Sequence, residues 1–318
     1  MNVSVVITCH NEEAYIKQCV NSVIDQSHYQ DIKELFVVDD GSTDSSPQIL
    51  AQLKLTCDKL KIITTKGLGL PAARNIAIKS ATGEFIAFLD ADDFWTKNKL
   101  KNQLKVLKNN SLIGLVYGDF WDFKKSDASD ATCISVRSLN RFHKSQLVEY
   151  FIKDAPIIPS TTICRKEVFE TVGFFNEQII TNDDTEMYLR VAEKWKLFHV
   201  SSADCYKRRK EGQITYRLDK LLNDQNKISA IAISRNPYLK KFAKKRESFR
   251  NVKVGIDCFI RHKEKKKTFV YAAKALKLNF FNFRAWALII MVFLPYQLTI
   301  RIYNFIKFKF YQFRGKKN

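Results

Sequence analysis

The chain has 318 residues, which sets a prior of about two domains, and its 46% hydrophobic and 27% charged composition is too apolar for a disordered protein. Seven cysteines, an odd number with no C-x-x-C pair, argue against a disulfide framework or a zinc ribbon and for a reducing compartment. The net charge of +20 is unevenly placed: residues 1–200 carry 24 Lys and Arg against 26 Asp and Glu, whereas residues 201–318 carry 29 against 7. An anionic surface is therefore expected to meet the C-terminal third alone.

Residues 1–13 hold no basic n-region and no small-residue cleavage site, so no signal peptide is expected. The first strand is predicted over residues 3–8, followed by a helix with Ile16, Cys19, Val20, Val23 and Ile24 on one stripe. Residues 35–39 form a second apolar strand, closed by Asp40-Gly41-Ser42. Ser46 and Pro47 read as the N-cap and first position of a helix to about residue 55. A third strand follows at residues 60–64, a helix opens at Pro71, and residues 85–89 form a fourth strand. This alternation predicts a parallel sheet covered by helices on both faces, with ligands beyond the carboxyl ends of its strands.

After residue 115 the pattern loosens. Short apolar pieces at 115–117, 161–164 and 196–200 alternate with helical stretches, one over 184–194, and residues 124–132 form a polar loop. From about residue 218 the chain reads as helical, with basic runs at 240–246 and 261–267 and an aromatic tail from Phe280.

Polar clusters follow the strands: Thr8-Cys9-His10-Asn11-Glu12-Glu13 the first, Asp39-Asp40-Gly41-Ser42-Thr43-Asp44 the second, Asp90-Ala91-Asp92-Asp93 the fourth. In a parallel sheet they converge at one edge. The segments VSVVITCHNEE (3–13), FVVDDGSTD (36–44), GLPAARNIAI (69–78), GEFIAFLDADD (83–93) and NDDTEMYLR (182–190), in this order, resemble glycosyltransferase family 2. Its members are inverting nucleotide-sugar transferases. The resemblance implies a GT-A type α/β fold: a mostly parallel sheet flanked by helices, with a Rossmann-like nucleotide-binding half, and here a basic helical C-terminal region after it.

Residues two apart at a strand end face the same side, so Asp90 and Asp92 can address one hard cation while Asp93 turns away. Such ions take oxygen ligands from a few carboxylates and the substrate phosphates. The resemblance makes Asp92 the ligand of a Mn or Mg ion, with Asp90 nearer the ribose or a metal-bound water. It gives Asp40 the N3–H of uracil, and Thr8 and His10 the base. His10 stands where the family more often has Tyr. Asn11 and Glu13 complete the donor-side loop. Arg74, in the first turns of a helix entered by Gly67 and Gly69, is placed to meet phosphate. Asp183-Asp184-Thr185-Glu186 matches the family's acidic element, with Asp184 in the place of the general base and Asp183 where Glu is usual. Lys210 occupies the place of a usual His. It cannot ligate a metal as imidazole does, but it can neutralise a departing diphosphate.

Plain structural alternatives stand beside each reading. The acids at 90–93 could cap a helix near Thr96, Asp40 could serve a turn, Arg74 could be a surface side chain, and Asp183 with Glu186 could form a capping box. The run 207–210 could be a solvated face. Residues 285–300 are uncharged for 16 positions, about 24 Å of helix against the ~30 Å of a bilayer core, and Pro295 interrupts them. A transmembrane helix is not expected. Aromatics mixed with Lys and Arg suit an interfacial helix on an anionic leaflet, the alternative being a packed helical subdomain. Nucleic acid is not an expected partner.

The sequence thus predicts a catalytic domain over residues 1–215 and a membrane-associating region over 216–318. The enzyme would be cytoplasmic and peripheral on the inner face of the plasma membrane. It would move a sugar from a nucleotide diphosphate, a UDP-sugar, to a hydroxyl of a glycan or lipid-linked acceptor, with a divalent cation, in surface polysaccharide synthesis. Two rivals are a non-catalytic nucleotide-sugar binder and a nucleotidyltransferase. The latter should carry a Gly-rich loop with Lys after the first strand, where this chain is acidic.

Overall fold

The structure, a computed structural model, describes residues 1–136, 143–153, 157–210, 218–260 and 263–299. The remaining residues of the aromatic tail from position 300, Arg261, and the segment 211–217 with Gly212 and Gln213 lie outside them.

In chain order the elements are β1 (Val3–Cys9), α1 (Ile16–Ile24), β2 (Ile32–Asp40), α2 (Ser46–Thr56), β3 (Leu60–Thr65), α3 (Leu70–Ser80), β4 (Phe85–Asp90), β5 (Phe94–Trp95) and α4 (Lys99–Asn109). Then come β6 (Ile113–Phe123), β7 (Thr132–Ile134), α5 (His143–Lys153), β8 (Thr162–Arg165), α6 (Glu167–Val172), α7 (Asp183–Lys194) and β9 (Lys196–Arg208). Among the described residues α8 (Leu218–Arg235), α9 (Ala243–Ile260), α10 (Lys265–Leu278) and α11 (Phe283–Phe293) follow. The chain divides into two compact units, 1–147 with 155–228, and 148–154 with 229–318.

In the first unit one sheet runs β3-β2-β1-β4-β8-β6-β9-β5, with β7 on β6. Its β3-β2-β1-β4 half is parallel throughout, as strand–helix alternation requires. Every residue of β1 is buried, which explains its continuous apolar run rather than an alternating one. Beyond β4 the sheet is mixed: β8 runs antiparallel to β4 and β6, while β9 is parallel to β6. Strands β6 and β9 are 11 and 13 residues long, well past the apolar pieces that announce them. The outer half of β9 is largely polar, that of β6 mixes Asp119 and Asp122 with Phe120, Trp121 and Phe123, and the register shifts around Gly118 and Asp119. A Cβ on Gly118 would lie 2.9 Å from the Ser202 carbonyl, so the close approach needs glycine.

Helix α1 buries Ile16, Cys19, Val20 and Val23 of the predicted stripe. Helix α2 starts one residue earlier than the capping pattern implies. Ser45 is its N-cap without a side-chain bond, and the Ser46 hydroxyl instead accepts from the Glu12 amide at 2.9 Å. All seven cysteines are free thiols.

The second unit is helical. Val252 of α9, Ala272 and Ala275 of α10, and Ala285 and Leu288 of α11 form its core. Small residues let the helices approach: a Cβ on Gly255 would meet Leu288 at 3.2 Å. Burial of Leu288, 2% exposed, contributes roughly 1.5–3 kcal/mol. The Asn282 amide donates to Ser248 at 2.9 Å, and Ser248 donates to the Ala275 carbonyl at 2.8 Å. Opposite this packed face, α11 exposes Phe283, Ile290 and Phe293. No described helix is long and apolar enough to cross a membrane.

Candidate active site

Strand register sets the site. Thr8 pairs with Asp90 on one side and Val38 on the other, and Cys9 pairs with Asp39. The clusters after β1, β2 and β4 therefore share one edge. Asn11 ties the first two together: its side-chain carbonyl accepts the Thr43 amide at 2.7 Å, and its own amide donates to Ser42 at 2.9 Å. Asn11 holds φ 56°, a left-handed conformation that Asn tolerates. Glu13 adds a clamp by accepting the Ser45 amide at 2.8 Å. Sequence reading puts Asn11 and Glu13 on the donor, while the structure shows them joining the two loops that would flank it.

Asp40 is buried and faces Thr65, its partner in β3. Its carboxylate also accepts the Leu68 and Gly69 amides, each at 2.7 Å. Burial raises its pKa, but these hydrogen bonds outweigh burial and hold the carboxyl below its ordinary value. One lone pair of the four stays available to a further donor. The glycines at 67 and 69 take φ of 74° and 93°, which lets the loop turn its amides inward. His10 is exposed, and its Nδ1 donates to the Asp40 carbonyl at 2.7 Å, which fixes the ring beside that carboxylate. The Thr8 hydroxyl is buried with no partner among the described residues. An unsatisfied buried hydroxyl costs free energy that a ligand could recover.

At the end of β4 the acids separate by role. Asp93 turns into the protein, where it accepts from Ser160 at 2.6 Å and from the Arg208 amide at 2.9 Å. Burial, followed by the charges of Asp92 and Asp90, pushes its carboxyl well above the ordinary range. Asp92 instead meets Lys210 Nζ at 2.9 Å, and the same ammonium is bonded to Glu12. Burial opposes the Lys210 charge, but Asp92 and Glu12 hold its pKa above the ordinary lysine value. Two carboxylates thus converge on one cationic point. That donor set fits a hard divalent ion whose remaining ligands come from phosphate and water. No group of three or more His, Cys, Asp and Glu among the described residues is placed to hold a metal by itself. Arg208 is buried: its guanidinium donates to the Asp92 carbonyl at 3.1 Å and to Gln18 at 2.9 Å, and it lies 4.2 Å from the Tyr15 ring centre. Arg209 pairs with Asp122 at 3.1 Å. The basic run is not simply a solvated face.

The third part enters from α7. Arg74, 2% exposed, donates to Asp90 at 2.9 Å and to Asp183 at 2.5 Å. Burial works against its charge, but Asp183 and then Asp90 hold the guanidinium pKa above its ordinary range. The side chain is neither at the surface nor turned to open space for a phosphate. It spans the two acidic elements, so that Asp184 follows directly on a residue anchored to the end of β4. Asp184 is half-buried and accepts the Thr185 amide at 2.6 Å. The capping-box alternative does not describe this helix. Its N-cap is Asn182, left-handed at φ 59° and without a side-chain cap bond, while Glu186 pairs with Arg190 at 2.7 Å. Asp224 of α8 holds the preceding loop by accepting the Thr181 and Ile180 amides at 2.8 and 3.1 Å.

Sequence reasoning passed over Glu12, Thr65 and Asp224 as site-building residues. Glu12 had a signal, since it lies in the same polar cluster as His10 and Asn11. Thr65 follows only from strand pairing, and Asp224 from a helix whose pattern marks no function.

The sequence profile of Glycosyl transferase family 2 matches residues 4–173, more than half of the chain. The chain belongs to that family. An Escherichia coli relative, the UDP-Glc:alpha-D-GlcNAc-diphosphoundecaprenol beta-1,3-glucosyltransferase WfgD, is 38% identical over 120 residues, covering 37% of this chain and 45% of its own. Among solved structures, S. aureus TarS 1-349 in complex with UDP-GlcNAc aligns with a TM-score of 0.61 and 20% identity, over 92% of this chain and 84% of that one. The mannosyltransferase PcManGT from Pyrobaculum calidifontis, in complex with GDP-Man and Mn2+, aligns with a TM-score of 0.56 and 17% identity, over 88% and 87%. These likenesses establish the GT-A type fold. The chain spans between 30% and 63% of the length of the curated relatives it matches.

Proposed function

We propose that this family 2 protein transfers a sugar from a nucleotide diphosphate, a UDP-sugar, to a hydroxyl of a glycan or lipid-linked acceptor in surface polysaccharide synthesis. The observation that carries the reading is the Arg74 bridge. It ties Asp183, the neighbour of the candidate base, to Asp90 at the donor edge, so both halves of a transfer site lie together. The TarS complex with UDP-GlcNAc and the lipid-diphosphate acceptor named for the E. coli relative support the donor and acceptor classes.

In this reading Asp40 accepts the uracil N3–H with its remaining lone pair, His10 lies against the base, and the Thr8 hydroxyl finds its partner there. Asn11 and Glu13 hold the donor loop, and Asp90 faces the ribose. Asp184 takes the acceptor proton as the hydroxyl oxygen bonds to the anomeric carbon. The bond from that carbon to the diphosphate breaks in the same displacement, its electron pair leaves with the phosphate, and the configuration inverts. When bound at Asp92, a Mn or Mg ion supplies Lewis-acid neutralisation of the leaving group. Lys210 adds a point charge beside it. Arg74 acts through Asp183 and Asp90 as a positioning residue.

The charge of the C-terminal third and the exposed aromatics of α11 support a peripheral position on an anionic cytoplasmic leaflet. The test of the activity is release of free nucleotide from a panel of nucleotide sugars, with and without saccharide acceptors. Turnover of a UDP-sugar that Asp184→Asn cuts by about 10²–10⁴-fold is expected. Binding of donors without any turnover would support the non-catalytic binder instead.

A further inference from the structure

Two cations serve the two metal-side acids, and they are held differently. Arg74 is 2% exposed and locked between Asp90 and Asp183. Lys210 lies just beyond the end of β9, with 25% of its side chain exposed, and reaches Asp92 and Glu12 on a flexible four-carbon stem. Its ammonium stands at the point where the Asp92 and Glu12 oxygens converge, which is the point a divalent ion would take. An ammonium has three donors and no acceptor, so it cannot share that point as a ligand. Ion and lysine exclude one another.

We propose that Lys210 is a tethered cation that occupies the metal position between Asp92 and Glu12 in the donor-free protein, and that it yields this position when a metal-bound nucleotide diphosphate arrives. The inference rests on the reading of Asp92 as a metal ligand. A bare divalent ion gains two carboxylates but must displace a paired ammonium, which is left without a counter-charge. A nucleotide diphosphate supplies that counter-charge, so the lysine exchanges carboxylates for phosphate as the ion enters. Metal and nucleotide then bind with positive coupling, and the device lies in this chain's lysine at the place of the family's usual His.

The test is direct binding of Mn2+, followed by electron paramagnetic resonance and calorimetry, to full-length protein with and without UDP. Wild type should bind Mn2+ alone weakly, and UDP should tighten binding about tenfold or more, within the usual range of coupling between sites. Lys210→Gln and Lys210→Ala should each bind Mn2+ alone about tenfold more tightly than wild type, with a smaller gain from UDP. The double variant Asp92→Asn with Lys210→Gln should lose that gain. Should both single variants bind Mn2+ alone no better than wild type, while wild type binds it with UDP, the lysine inference is overturned and the role of Asp92 stands. Absence of Mn2+ binding to wild type under both conditions overturns the two together.

Discussion

Arg74 and Asp183 form a hydrogen-bonded ion pair at 2.5 Å across 109 positions of sequence. With Asp90 as its second partner, the arginine is the joint between the sheet edge and the helix that carries Asp184. Replacing it with Met would leave the buried Asp183 without compensation. Breaking one side of a buried pair costs about 3–5 kcal/mol. Arg74→Met should therefore lower the free energy of unfolding in urea by an amount of this order, while a control at the exposed Lys105, Lys105→Met, should leave it nearly unchanged.

Asp184 separates a transferase from a binder. A general base contributes typically 10²–10⁴-fold to rate. Asp184→Asn should reduce transfer by that range and leave UDP affinity close to wild type. Asp184 also accepts the Thr185 amide, but an Asn side-chain oxygen can keep that bond, so a role in capping would not account for such a loss. Wild-type turnover in the variant would remove Asp184 from the reaction.

Glu34 gives the fold an acid-sensitive support. Its carboxylate accepts from Ser4 at 2.7 Å, from the Thr82 amide at 2.6 Å and from Lys61 at 2.6 Å. Burial raises its pKa, but Lys61, Thr82 and Ser4 outweigh burial and pull it down to about 2. A carboxyl depressed on folding stabilises above its unfolded pKa, and that stability is lost as pH falls through the folded one. Glu34→Gln should thus be less stable than wild type at pH 7 by roughly 1–3 kcal/mol, and the two unfolding curves should draw together between about pH 5 and pH 2.

The exposed aromatics of the second unit make a lipid prediction. Full-length protein should sediment with vesicles containing anionic lipid and release as salt rises, because screening acts over about 8–10 Å near physiological salt. Phe281 and Phe293 are 89% and 75% exposed. Changing both to Ser should weaken sedimentation at every salt concentration without altering thermal stability. Equal sedimentation of this variant would assign the binding to charge alone.

Much of this was legible in the chain. The parallel half of the sheet followed from β-branched runs alternating with helical stripes, because burial on both faces leaves a continuous apolar signature. The strand-end period suggests Asp90 and Asp92 facing one ion, whereas β4 ends at Asp90, which pairs with Arg74, and Asp92 pairs with Lys210. What was not legible depends on distant partners. Nothing local tells that Arg74 meets Asp183, or that Glu12 meets Lys210 across 198 positions. The outer halves of β6 and β9 were hidden for a related reason. They are strands by mutual pairing, with register shifts that break the period, and the polar run of β9 after Val200 carries no apolar signature that a pattern could detect. Ser46 looked like a cap, yet its hydroxyl serves the loop after β1, a choice decided by tertiary contact rather than by propensity.

The hold of Asp224 on the loop ahead of α7 bears on how this protein should be divided for study. Asp224 belongs to the first unit, which runs to Ile228, and its carboxylate is what fastens Thr181 and Ile180 before the left-handed turn at Asn182. A fragment cut at residue 215, where the sequence pattern places the boundary, would keep every acid of the candidate site. It would nevertheless discard the anchor of the segment that delivers Asp184. Failure of so short a piece in an activity assay would not test Asp184, and a minimal fragment should be carved with α8 kept through Ile228.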